Sequence, residues 1–159
     1  MSFDLFLERL EAGNSAPSDR TAVLKILRRY CQQSGDRFGF YNVEFPDGSH
    51  VEFSAKNLES EGEFTGCAFN LRGFTAAIVT FVFEVAVAGD MVIFNAQGRD
   101  TAESPLAILI GESQMAHVPR EAAANPALCS APVHLAQLLG VGFDHWSEFR
   151  DFALGKSSA

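Results

Sequence analysis

The chain has 159 residues, 47% of them hydrophobic, and 20 acidic against 12 basic side chains give a formal net charge of −8. That length suits one hydrophobic core and the balance is too apolar for disorder, so fibrous, collagen-like, disulfide-framework and polybasic classes are excluded. The charge also argues against a general nucleic-acid binder, whose affinity comes from Lys and Arg displacing counterions from phosphates. It suits a basic protein partner, or solubility alone.

In chain order, Phe3 to Leu10 fits both a strand and a helical face, and Gly13-Asn14 soon after it favours the strand. After Pro17, Ser18 or Asp19 can cap a helix whose Val23, Leu24, Ile26, Leu27 and Tyr30 face a core, ending near Ser34-Gly35. Its outer side carries Arg20, Lys25, Arg28 and Arg29. Tyr41, Val43 and Phe45, then Val51 and Phe53, alternate with polar neighbours around Pro46-Asp47-Gly48-Ser49, the pattern of a β-hairpin with one buried face. A polar loop at 56–63 leads to a third strand over Phe64 to Leu71.

Thr75 to Ala88 is too long for a typical strand. Its Ile78, Phe81, Val82 and Val85 fall at helical spacing, predicting a central packing helix with Gly89 just past its last turn. Met91 to Asn95 and Leu106 to Ile110 read as buried strands, and Glu112 to His117 as one helical turn stopped by Pro119. Ala131 to Leu139 and His145 to Leu154 read as helices separated by Gly140-Val141-Gly142. These elements predict an α+β fold: a single domain over residues 1–154, with a mostly antiparallel sheet of five or six strands packed against helices, and a flexible tail at 155–159.

The longest apolar stretch, Phe74 to Ala88, contains Glu84 and falls short of the ~20 residues a membrane span needs. The N-terminus has no Lys or Arg before Arg9, and the odd number of cysteines (Cys31, Cys67, Cys129) allows no complete disulfide framework. The expectation is a cytoplasmic protein with reduced, buried thiols and no membrane partner. Catalytic motifs are lacking: Gly111-Glu112-Ser113-Gln114-Met115 has no second Gly for a serine elbow, so Ser113 reads as a helix cap. The histidines His50, His117, His134 and His145 are isolated, Asp144 suits an N-cap for the last helix, and Gly140-Val141-Gly142 lacks the rest of a dinucleotide site. No catalytic residue, metal ligand or cofactor is therefore assigned.

What remains is the distribution of acids. Glu44 and Glu52 lie on the facing strands of the hairpin, Glu59, Glu61 and Glu63 follow in the next loop, and Asp144, Glu148 and Asp151 form a second group along the last helix. Such clusters can steer a basic protein onto the surface, or simply keep the chain soluble. On this reading, reversing Glu59, Glu61 and Glu63 to Lys leaves folding intact.

The opening Met1-Ser2-Phe3-Asp4-Leu5, the junction Ala86-Val87-Ala88-Gly89-Asp90-Met91-Val92-Ile93 and the stretch Gln114-Met115-Ala116-His117-Val118-Pro119 resemble small bacterial proteins found beside contact-dependent or secreted toxins. The resemblance implies an immunity protein: a non-enzymatic inhibitor that binds a cognate toxin domain, often a basic nuclease, and blocks its active site. No functional residue carries over from it. The alternatives are a small enzyme or ligand-binding domain with a Phe-lined pocket, since the chain has 15 Phe, or a homo-oligomer. The sequence does not set the oligomeric state.

Overall fold

The computed structural model describes residues 3–140. The strands are β1 (Phe3–Glu8), β2 (Leu10–Glu11), β3 (Asn14–Ser15), β4 (Phe40–Glu44), β5 (His50–Ser54), β6 (Gly66–Leu71), β7 (Val92–Asn95), β8 (Ala107–Leu109) and β9 (Ala127–Leu128). The helices are α1 (Arg20–Leu27), α2 (Ala76–Gly89) and α3 (Pro132–Leu138), with a 3-10 helix over Glu112–His117. Seven strands form one sheet in the order β4-β5-β6-β1-β7-β8-β9, antiparallel throughout except for the parallel pair β8–β9. The fold is α+β, with seven strands in place of the expected five or six. The additional pairing comes from β9, whose two residues are too few to show a period.

Alternation along the strands sends Leu5, Leu7, Val43, Val51, Phe53, Phe69, Leu71 and Ile93 to one face, all essentially buried. The apolar α2 covers that face and is flanked by α1 and α3. Phe81 of α2 stands at the centre of an aromatic cluster, its ring 5.4 to 5.7 Å from those of Tyr30, Phe45, Phe53 and Phe69. Contacts with Tyr30, Phe45, Phe53 and Phe69 are edge-on, the favoured arrangement of ring quadrupoles. A smaller cluster of Val92, Ala107, Leu109 and Ala123, with Leu10 and Val118 against it, fills the opposite face at the β7–β8 end.

Local chemistry accounts for the joints. Asp19 caps α1 by accepting from Ala22 N (3.0 Å), and Thr75 caps α2 by accepting from Ile78 N (3.2 Å). Ser49 Oγ lies 3.0 Å from Thr75 Oγ1, tying the hairpin turn to α2. Glu84, on the partly exposed side of α2, meets Arg29 of the segment after α1 at 3.0 Å.

Helix α1 ends at Leu27, well before the expected Ser34-Gly35, and Arg28, its C-cap residue, reaches forward to donate to the carbonyls of Cys31 (3.1 Å) and Gln33 (3.0 Å). At the end of α2, Gly89 stays helical and Asp90 takes the left-handed position (φ 51°), the reverse of the expected cap. Gly89 is needed for close approach instead: a Cβ there would stand 2.7 Å from Ser18 Oγ, which donates to the Gly89 carbonyl.

β4 is an edge strand, and the segment before it closes part of that edge. Asp36 N donates to Phe40 O (3.1 Å), while the Asp36 carboxylate accepts from Phe38 N (2.8 Å) and Phe40 N (3.0 Å).

Candidate functional site

The face away from the helices is left uncovered by the described residues over β4, β5, β6 and β1. Register lines its side chains into rows. One row runs Phe40, Ser54, Ala68, Phe6, Phe94, so two half-exposed phenylalanines (51% for Phe40, 49% for Phe6) flank a floor of small residues. The adjacent row runs Asn42, Glu52, Asn70, Asp4, and Glu44 stands opposite His50 one step further along the hairpin. Asp4 accepts from Asn70 Nδ2 (2.7 Å), Glu52 pairs with Arg72 (3.3 Å), and the Glu8 carboxylate lies over Gly66, leaving no room for a Cβ there. The acids Asp4, Glu8, Glu44 and Glu52 thus outnumber Arg72 on this face.

The second group of sequence-selected acids behaves differently. Glu59 is tied down at the surface: its carboxylate accepts from Tyr41 Oη (2.6 Å) and Gly35 N (3.0 Å) and pairs with Arg28. The hydrogen bond from Tyr41 holds the Glu59 carboxyl below its ordinary range, with Gly35 N and Arg28 acting in the same direction. Burial pushes the Tyr41 hydroxyl up, and the Glu59 carboxylate adds to that. Gly35 allows the approach, since a Cβ there would stand 2.7 Å from the Tyr41 ring. Arg20 donates to the carbonyls of Ser60 and Gly62, and Asn57 Nδ2 donates to Glu63 O (2.8 Å). The loop is therefore strapped to α1 by the very cations that the sequence sets apart as a basic helix face. All three acids are exposed, but Glu59 belongs to that strap, whereas Glu61 and Glu63 have no ion-pair partner among the described residues.

Asp144, Glu148 and Asp151, with the helix expected around them, lie outside the described residues. Ser113 does not cap a helix: it sits inside the 3-10 helix, where Gly111 holds the cap position without a side chain. His117 is held by its Nδ1, which accepts from Ala12 N (3.0 Å), and Gln114 bridges Asp90 Oδ1 (3.1 Å) to Ile110 N (2.9 Å). Cys31, Cys67 and Cys129 are free and buried; burial, with Glu8 nearby, pushes the Cys67 thiol up, away from the reactive thiolate. Among the described residues no group of three or more His, Cys, Asp or Glu is placed to hold a metal ion. No helix among them is long and apolar enough to cross a membrane.

Sequence reasoning thus selects Glu44 and Glu52 but overlooks Asp4, Phe6, Glu8 and Phe40. The signal was present, because a strand over Phe3 to Glu8 puts Asp4, Phe6 and Glu8 on one side. What the sequence lacks is the pairing of β1 with β6, which brings Asp4 to the hairpin's side of the sheet. In comparisons with known proteins, no family model matches the chain, and no curated protein or solved structure matches it either.

Proposed function

We propose that the protein is a non-enzymatic, immunity-type inhibitor that binds a basic cognate toxin domain through its acidic surface, in the reducing interior of a bacterial cell. The observation that carries this reading is an asymmetry of charge compensation. Three of the four cations of α1 and the turn after it are spent internally, Arg20 on carbonyls, Arg28 on Glu59 and Arg29 on Glu84, while Lys25 stays exposed. Glu44, Glu61 and Glu63 have no ion-pair partner among the described residues. On the hairpin and its following loop these three carboxylates outnumber the exposed Lys56, and the net negative charge speeds encounter with a cationic partner. The free, buried thiols are consistent with a reducing compartment.

The test is co-expression with the product of the adjacent coding sequence in the native locus, followed by co-purification and a growth assay. Protection from a toxic neighbour, with association that slows as salt rises, supports the reading; a neighbour that is neither toxic nor bound removes it. Within such a complex, Glu61→Lys with Glu63→Lys should slow association about tenfold at low salt without loss of folding.

A further inference from the structure

We infer that the uncovered sheet face between Phe40 and Phe6 is the docking surface itself, and that its occupant is a partner segment combining aliphatic side chains with Arg or Lys. This rests on the reading above, that the partner is a basic protein, and adds where it binds and by what chemistry. Three observations support it. Phe40 and Phe6 are separated by β5 and β6, hence by about 14 Å at the usual strand spacing, and between them Ser54 and Ala68 form a low floor. That is a trough with aromatic walls, wide enough for one extended or helical segment. The walls are bordered by four carboxylates, Asp4, Glu52 and Glu44 on one side and Glu8 on the other, against Arg72, which pairs with Glu52, and Arg37 and Lys56 at the Phe40 end.

An aliphatic stem ending in a positive charge meets both features at once, its methylenes on the rings and its head on the acids. The molecule already shows this pairing elsewhere, with the Arg37 guanidinium 4.6 Å from the centroid of the exposed Phe38 ring. A second copy of the chain fits less well. Face to face, it would set Asp4, Glu8, Glu44 and Glu52 against the same carboxylates and desolvate like charges together.

The test is a titration of the 15N-labelled full-length chain with an amphipathic Leu/Arg peptide, and with a Leu/Glu peptide of the same length as control. The expected result is amide shifts centred on Phe6, Ser54, Ala68 and Asn70 with the Leu/Arg peptide alone. Binding should weaken about tenfold in the Phe6→Ser, Phe40→Ser double variant, which leaves the spectrum of the buried face unchanged. Any of four results overturns the inference: shifts confined to Val87 and Val133 on the helices, equal response to both peptides, no binding, or prior occupation of the trough by residues 141–159 or by a second copy.

The two proposals fail separately. Peptide binding in the trough, with an adjacent gene product that is neither toxic nor bound, upholds the surface and removes the toxin reading. A neighbour that binds the double variant as tightly as the unmodified chain does the reverse.

Discussion

The two faces of the sheet are built from the same strands and even the same residue type, yet they serve opposite ends. On the helix side, Phe53 and Phe69 are fully buried against Phe81; on the other side, Phe6 and Phe40 stand half exposed among acids and amides. A strand reverses its side chains at every residue, so moving one position, from Phe6 to Leu5 or from Phe40 to Tyr41, crosses from solvent to core. The lesson is that phenylalanine content does not divide core from surface; register and the position of α2 do.

That contrast can be broken most strongly from the buried side. Phe81→Ala removes the ring that Tyr30, Phe45, Phe53 and Phe69 all touch and should cost about 3–5 kcal/mol in denaturant unfolding, through the lost burial and the cavity left behind. A loss under about 1 kcal/mol would mean that α2 does not fill the core in this way.

A smaller effect is expected at the strap beside the open face. Glu59→Ala leaves Gly35 N and the Tyr41 hydroxyl without their acceptor and should cost about 1–3 kcal/mol. Reversing Glu59 together with Glu61 and Glu63 should therefore not be neutral, contrary to the expectation from sequence. The Glu59 carboxyl titrates below its ordinary value of 4.5 in the folded chain, so the unfolded chain takes up that proton first as the pH falls. Its stabilisation is present above that value and is lost as the pH drops through and below it. As the pH falls through and below 4.5, the unmodified protein should consequently lose more stability than Glu59→Gln. Parallel acid unfolding curves for the two would exclude the strap as its source.

The smallest effect on folding belongs to the open face. Phe6→Ser and Phe40→Ser should each cost only about 1 kcal/mol, because about half of each ring is already exposed. A loss above about 2 kcal/mol for either in denaturant unfolding would show that the face is structural.

Much of the fold was legible because its strongest signals are local. The hairpin over residues 40–54 follows from strict alternation around Pro46 to Ser49, and α2 from helical spacing in an apolar run. What escaped depends on distant partners. β9 is defined only by lying beside β8. Asp90 takes the left-handed position that Gly89 would ordinarily fill because Ser18, from the other end of the chain's first half, needs that glycine in the helix. The same limit governs the candidate site. Glu44 and Glu52 carry their orientation in the hairpin pattern, whereas the role of Glu59 is fixed by Tyr41, Gly35 and Arg28, and no spacing rule links those four residues.

The closure of the β4 edge by Asp36 bears on how the protein behaves when crowded with copies of itself. An outermost strand exposes backbone donors and acceptors on which a further chain can grow, the first step of a fibril. Here the leading rung is already taken, since Phe40 has its N–H on the Asp36 carboxylate and its carbonyl on Asp36 N. What lies beyond it is short and ends in the charge of Glu44. The rung beside the exposed Phe40 ring is thereby denied to a further chain, so that no ribbon starts from it.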